Sequence, residues 1–258
     1  MSFRSLQQHP RIIGALMMRE VITRYGREGL GFLWLVGEPL IFALGVLLMW
    51  SIMKPPYEHG VRLGPFVVSG YMCLIMFRHQ ISQAMHALQA NMGLMYHERI
   101  RPLHILLSRA ALEFCGTTLA FFVCYIVVMS LGQSEVPKDL GLLYLGWIMV
   151  TIQAIGLSYV FAGLAMRYDV FEKLTQFLGY AMIPLSGAFV MAAWLPPGAL
   201  DVYLLVPFPH SVEMIRAGVF GEFVETHYNF GYGMAWAGGL LLAGLLLIAT
   251  GRDRLESE

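Results

Sequence analysis

Residues 31–53 read GFLWLVGEPLIFALGVLLMWSIM, an apolar run in which Glu38 is the one charged residue. A helix of this length crosses about 30 Å of hydrocarbon, the thickness of a bilayer core. Comparable apolar runs recur along most of the 258 residues, without the period-two alternation of a transmembrane barrel. The sequence therefore predicts an all-α integral membrane protein.

The composition supports the same class of protein. Hydrophobic residues make up 57% of the chain and charged residues only 13%, against roughly 25% charged in an ordinary soluble domain. The mean hydropathy is +0.63. The formal net charge is zero, so the whole molecule carries no electrostatic signal for binding nucleic acid.

We predict one transmembrane domain over residues 31–258, containing six spans. Each predicted span is an apolar run long enough to form a membrane-crossing helix. Their approximate ranges are 31–53, 65–82, 105–132, 141–166, 174–195 and 232–250.

The distribution of Lys and Arg predicts the orientation. With the N-terminus in the cytoplasm, 13 of the 17 Lys and Arg residues lie inside, and an excess of positive charge is typical of cytoplasmic segments. Both termini are then cytoplasmic, which agrees with an even number of spans. The four residues left outside are Lys54, Arg62, Lys138 and Arg216.

Two segments depart from a simple bundle of spans. Residues 1–30 combine apolar side chains with five arginines, which favours a basic amphipathic helix along the inner interface; a disordered arm is the alternative. Residues 196–231 are apolar but broken by prolines and glycines, which favours two short re-entrant or interfacial helices. Such backbone is tolerated only where protein or a water-lined cavity satisfies its polar groups.

Charged residues within the spans need an explanation, since each costs at least about 2.5–3.5 kcal/mol at the bilayer centre. Glu38 precedes Pro39 and is interpreted either as part of a helix bend or as a pathway residue near the inner mouth. Arg109 and Glu113 are four residues apart and can pair on one helix face.

Other polar and aromatic residues allow two interpretations. Arg78 and His79 lie at the inner end of span two, where they could reach lipid phosphate or an anionic substrate. The 16 Phe, 12 Tyr and 5 Trp are expected mainly in belts at the membrane interfaces, although sugar rings also stack on aromatic side chains.

Motifs of a self-contained enzyme are missing from the sequence. It lacks the G-x-x-x-x-G-K-[ST] loop for ATP and the G-x-S-x-G nucleophile motif. A protein that moves a cargo and takes its energy from a partner fits better. The segment 86–104 mixes apolar, basic and polar residues and would suit docking to a soluble partner; an ordinary basic loop is the alternative.

Four blocks of the chain resemble the type-2 ABC exporter permeases of capsular polysaccharide, O-antigen and teichoic acid. The sequences of the first and last blocks are most similar to those of Gram-negative capsule exporters. One departure is Phe208, where many relatives carry Asn. The blocks, in the family's order, are TRYGREGLGFLWLVGEPL at 23–40, the segment 91–113, PLSGAFVMAAWLPP at 184–197 and VPFPHSVEMIRAGVFGEF at 206–223.

The resemblance implies a homodimer in the bacterial inner membrane, joined to two ATP-binding cassette subunits. It also implies a periplasmic polysaccharide co-polymerase, an outer-membrane export protein and a lipid-linked polysaccharide as cargo. The chain itself is then expected to bind no cofactor, since ATP and Mg would lie on the partner subunit.

The resemblance also assigns roles along the chain. It places an interface helix at about 5–27 and periplasmic gate helices at about 199–225. The residues expected to couple to the ATPase subunit are Asn91, Tyr96, His97, Glu98, Arg99 and Arg101. The residues expected to meet the substrate are Arg24, Arg27, Trp34, Glu38, Tyr71, Arg78, His79, Phe177 and Tyr180.

Three rival functions remain open at this point, one of which is a structural anchor for a cytoplasmic complex. An exporter of O-antigen, teichoic acid or a small drug would share the same architecture. A membrane-embedded enzyme of glycan or lipid assembly would turn over its substrate without an ATPase partner.

Overall fold

The computed structural model describes residues 3–25, 31–53, 57–58, 60–91, 93 and 100–255, which are mostly helical. The α-helices are α1 (Phe3–Tyr25), α2 (Gly31–Met53), α3 (Leu63–Ala90), α4 (Pro102–Ser130), α5 (Leu140–Ala165), α6 (Asp169–Lys173), α7 (Thr175–Leu185), α8 (Pro197–Leu204), α9 (Phe208–Phe220) and α10 (Phe230–Leu255). Two short 3-10 helices cover Ala192–Trp194 and Gly221–Phe223. An antiparallel pair of two-residue strands, β1 (Tyr57–Glu58) and β2 (Val61–Arg62), was not predicted.

Four helices of the described chain are long and apolar enough to cross a membrane. They agree with the predicted spans one, three, four and six. The helix α3 has 28 residues, but its second half is polar and it does not reach the same hydropathy. The four membrane-length stretches are Val36–Met53, Pro102–Ser130, Leu140–Ala165 and Phe230–Gly251.

The predicted fifth span, 174–195, is not one continuous helix. Its helix α7 ends at Leu185, one residue after Pro184, which lacks an N–H for the helix ladder. Gly187 then adopts a left-handed backbone with φ +76°, a conformation that glycine adopts without steric cost. The chain turns there and continues into the 3-10 helix Ala192–Trp194.

The helix α3 forms the centre of the molecule. It packs against α2, α4, α5, α7 and α9, and every residue from 63 to 77 is buried. The ring of Phe66 lies tilted against that of Trp194, with 4.9 Å between centroids. The ring of Phe77 meets that of Phe208 edge-on at 5.1 Å. The first half of α3 is therefore surrounded by protein.

The N-terminal helix α1 packs on α4 and α2. Its half-buried residues include Ile12, Leu16 and Met17, members of the apolar face that the sequence predicted. That face contacts protein, while Met18 and Ile22 on the other side are 60% and 62% exposed.

A buried ion pair fixes the segment between α7 and α10. Arg216 and Glu213 of α9 are both fully buried, with 3.3 Å between guanidinium and carboxylate. Arg216 also donates to the carbonyl oxygens of Gly187, Ala188 and Val190, at 3.0, 2.6 and 2.7 Å. Arg216 was counted above among the outer loop charges; the structure shows instead that it is a core residue.

Candidate functional site

A polar cavity of about 440 Å³ opens between α2, α3 and α7. Its walls combine one guanidinium, one carboxylate, an imidazole, two primary amides, two aliphatic hydroxyls and two phenols. This mixture suits a ligand with both charge and hydroxyl groups. The lining residues are Glu38, Pro39, Phe42, Tyr71, Ile75, Arg78, His79, Ser82, Gln83, Thr175, Gln176, Gly179 and Tyr180.

The helix α3 supplies one wall of the cavity because of its periodicity. Tyr71, Ile75, Arg78 and Ser82 follow one another at spacings of four, three and four residues, which places them on one helix face. Opposite this wall, the part of α2 around Pro39 and the first two turns of α7 line the cavity. The site is thus built from three helices that are distant in sequence.

Arg78 is the principal charge in this cavity. Its guanidinium lies over the ring of Tyr180, 5.4 Å from the centroid, in the geometry of a cation–π contact. Within the described residues it forms no hydrogen bond or ion pair, although Glu38 lines the same cavity. Because its guanidinium has no direct ion-pair contact among the described residues, Arg78 is available to bind an anion.

His79 and Gln83 connect the cavity to buried charges behind it. The His79 imidazole lies 3.5 Å from the Glu113 carboxylate, and Gln83 accepts a hydrogen bond from Arg109. The predicted pair of Arg109 and Glu113 is present, with 3.7 Å between guanidinium nitrogen and carboxylate oxygen.

Five of the nine predicted substrate residues line this cavity: Glu38, Tyr71, Arg78, His79 and Tyr180. Two others are elsewhere, since Trp34 and Phe177 are 59% and 67% exposed and do not line it.

The two predicted arginines of the N-terminal segment are not part of the described site. Arg24 lies in the last turn of α1, and Arg27 lies outside the described residues.

The predicted coupling segment is described only at its ends. Asn91 is 6% exposed and accepts a hydrogen bond from Arg19 of α1, at 2.9 Å. Arg101 caps the start of α4, where its backbone N–H donates to His104 at 3.2 Å. Tyr96, His97, Glu98 and Arg99 lie outside the described residues.

Sequence reasoning missed several residues of the cavity. Ser82 and Gln83 could have been found by extending the face of Tyr71 and Arg78 by one further helical turn. Thr175 and Gln176 gave no such signal, because only the packing of α7 against α3 brings them to the cavity.

The end of the molecule that carries the strand pair has its own charged groups. Lys138 donates a hydrogen bond to Glu135 at 2.8 Å, and this contact holds the pKa of the Glu135 carboxyl below its usual value. Within the ranges the structure describes, no group of three or more His, Cys, Asp or Glu side chains is placed to hold a metal ion.

Four helices of the described chain that are long and apolar enough to cross a membrane define a multi-pass helical membrane protein. The sequence profile of the ABC-2 type transporter family matches residues 11–220. The chain therefore belongs to the ABC-2 type transporter family, as the resemblance of its four sequence blocks predicted.

Full-length relatives agree with this assignment. The chain is 37% identical to the capsule polysaccharide export inner-membrane protein CtrC of Neisseria meningitidis serogroup B, over 98% of this chain and 96% of the relative. It is 34% identical to the corresponding protein BexB of Haemophilus influenzae over the same shares. The polysialic acid transport protein KpsM of Escherichia coli is 22% identical over 94% of each chain. These inner-membrane relatives and the apolar helices identify a multi-pass inner-membrane protein.

Proposed function

We propose that this chain is the permease subunit of an ATP-driven exporter that moves lipid-linked capsular polysaccharide across the inner membrane. The observation that carries the proposal is the cavity in which Arg78, without a direct ion-pair contact among the described residues, lies over Tyr180. A cation on an aromatic ring, surrounded by amides and hydroxyls, provides contacts for both the charge and the sugar rings of an acidic glycan. The names of the full-length relatives support the choice of cargo.

The proposed topology has six spans with both termini in the cytoplasm. The helices α2, α3, α4, α5 and α10 provide five spans, and α7 with the broken segment after it provides the other. Burial of the first half of α3 supports its assignment as a span despite its polar residues. The short helices α8 and α9 then lie at the periplasmic side and form the gate.

The proposed assembly contains two copies of this chain and two ATP-binding cassette subunits. The segment 91–101 would dock the ATPase subunit, which holds ATP and Mg, and α1 would lie along the inner interface. A periplasmic co-polymerase and an outer-membrane export protein would continue the path. In this assembly the chain itself carries no cofactor and no catalytic group.

The proposed mechanism begins when the ATPase subunits close on ATP and push the segment 91–101 and α1. Spans one and five of the two copies then separate and open a continuous channel. Arg24, Arg27, Arg78 and His79 attract the acidic end of the lipid-linked glycan at the inner mouth. Arg78 and His79 are the members of this set that line the cavity.

The experiment compares cells that lack the chain with cells complemented by wild type or by a Glu98→Ala/Arg99→Ala double variant. Lipid-linked polysaccharide should accumulate in the cytoplasm without the chain and remain there with the double variant, although the variant inserts normally. The matched control is Glu172→Ala/Lys173→Ala, which removes one acidic and one basic residue from an exposed position on α6 and should export normally.

Other outcomes would redirect the proposal. Normal surface polysaccharide in the deletion strain excludes capsule as the cargo. Loss of glycan synthesis, rather than of export, would instead favour a membrane enzyme.

A further inference from the structure

Arg109 of α4 joins three helices behind the cavity. It donates hydrogen bonds to Glu20 of α1 and to Gln83 of α3. Its Nε also lies 3.7 Å from Glu113, whose second carboxylate oxygen lies 3.5 Å from His79. One guanidinium therefore contacts a carboxylate of the N-terminal helix and an amide of the cavity wall at the same time.

Burial makes these contacts costly to break. The side chains of Arg109 and Glu113 are only 6% and 2% exposed, so neither can replace a lost partner by water. An uncompensated charge in such a place is strongly unfavourable. A displacement of Glu20 therefore either moves Arg109 with it or removes one carboxylate contact from the buried guanidinium, while the contact with Glu113 remains.

Two residues in contact with Arg109 and Glu113 belong to the cavity lining. Gln83 and His79 both line the cavity, and His79 is adjacent in sequence to Arg78. A shift of the Arg109 guanidinium changes the hydrogen-bonding partner of Gln83 and the distance from Glu113 to His79. We propose that Arg109 is a positioning residue that couples the position of α1 to the shape of the cavity.

A second contact of α1 provides an internal comparison. Arg19, the neighbour of Glu20, donates to Asn91 at 2.9 Å, and Asn91 in turn donates to the Ala87 carbonyl. This contact also ties α1 to the end of α3, but neither Asn91 nor Ala87 lines the cavity. If α1 acted only as a cover, loss of either contact would affect the cavity in the same way.

The test measures access to the cavity through a cysteine at Ser82, which lines it. The full chain, with the exposed Cys115 changed to serine, carries Ser82→Cys in inverted membrane vesicles. A small charged methanethiosulfonate reagent modifies the thiol, and the rate is corrected with the same variants lacking Ser82→Cys. Glu20→Ala should change this rate by at least about threefold, as expected for a coupling of this kind, whereas Arg19→Ala should change it clearly less.

A double-mutant cycle assigns the effect to Arg109. In an Arg109→Gln background the Glu20→Ala change should disappear, because the link is already broken. If the Arg109→Gln chain does not insert, Arg109→Lys serves instead, since an ammonium cannot bond Glu20 and Gln83 in the same fork-like manner.

An unchanged rate in Glu20→Ala overturns the coupling. An equal change from Arg19→Ala, or an undiminished Glu20→Ala effect without the Arg109 guanidinium, overturns it as well. The measurement contains no polysaccharide, so its failure is distinct from a failure of the proposed cargo.

Discussion

At the scale of single residues, Arg78 and Tyr180 determine what the cavity can bind. The contact at 5.4 Å keeps the guanidinium against an aromatic face. Among the described residues, no protein group accepts a hydrogen bond from its N–H groups. Planar guanidinium groups bind carboxylates and phosphates through paired hydrogen bonds. The same residue can therefore hold an anionic group while Tyr180 stacks on a neighbouring ring.

Replacing Arg78 by alanine should lower the rate of polysaccharide export by about tenfold, the loss expected for one charge-assisted hydrogen bond. Arg78→Lys should give an intermediate rate, because lysine keeps the charge but loses the planar, forked geometry. The measurement is surface polysaccharide per cell, normalised to the amount of chain in the membrane.

The control for Arg78→Ala is Lys173→Ala, which removes one positive charge from an exposed residue outside the cavity. Export by this control should equal that of wild type. Equal losses in both variants would indicate that only the total charge of this region matters, and unchanged export in Arg78→Ala would remove Arg78 from the binding site.

The polar and the aromatic residues named from the sequence were chosen on signals of different strength. Glu38, Arg78 and His79 stand out because a charged or polar group within a span requires a reason. Trp34 and Phe177 gave no comparable signal, since aromatic residues are common both at membrane interfaces and along sugar paths. Their exposure of 59% and 67% depends on how α2 and α7 rotate about their axes, which tertiary packing determines.

At the scale of elements, α9 is held more firmly than a short helix between two spans requires. Every residue of it from 208 to 219 is buried, and its Arg216 binds three carbonyl groups of the segment after α7. Gly70 of α3 packs so closely here that a Cβ atom would lie 2.0 Å from the Ala188 carbonyl oxygen. By contrast, α8 has no buried residue, so it is the better candidate for the moving part of the proposed gate.

Replacing Arg216 by methionine should lower the stability of the chain by about 3–5 kcal/mol, because it leaves the Glu213 carboxylate buried without its cation. The expected result is a clear decrease in Tm of the purified protein in detergent. Unfolding is followed through the fluorescence of a thiol probe that reacts with cysteines exposed on heating.

Lys138→Met is the matched control for Arg216→Met. Lys138 and Glu135 form an ion pair with the same spacing of three residues, but their side chains are 45% and 66% exposed. Because exposed pairs contribute little to stability, this variant should melt close to wild type. Equal melting of both variants would contradict the idea that Arg216 fixes α9.

The sequence predicted where helices occur better than where they break. The apolar face of α1 was identified from its periodicity, although it packs on protein rather than only on lipid. The break after α7 was missed because the run from 174 to 195 is mostly apolar and contains no charged residue. Pro184 and Gly187 mark the break, but proline and glycine also occur within intact membrane helices. Only the backbone conformation of the structure shows that the helix ends there.

At the scale of the whole molecule, the arrangement of charge bears on orientation. Because Arg216 is a core residue, it no longer counts among the loop charges. Fewer positive loop charges then remain on the side of the molecule that carries the strand pair and Lys138. The bias toward the opposite side, where α6 and the start of α4 lie by the proposed topology, is then stronger than the sequence alone indicated. By the proposed topology and the positive-inside rule, we expect Lys138 in the periplasm and Lys173 in the cytoplasm.

Single cysteines test this orientation in a chain whose exposed Cys115 is changed to serine. Lys138→Cys and Glu222→Cys, both at exposed positions, should react with a membrane-impermeant maleimide in intact cells. Arg101→Cys and Lys173→Cys, also exposed, should react only after the inner membrane is disrupted, because the maleimide cannot cross it. The reverse pattern would invert the topology and move the cavity mouth away from any cytoplasmic ATPase. If the two residues of either pair reacted from different sides, an odd number of spans would separate them, and the six-span arrangement would be wrong.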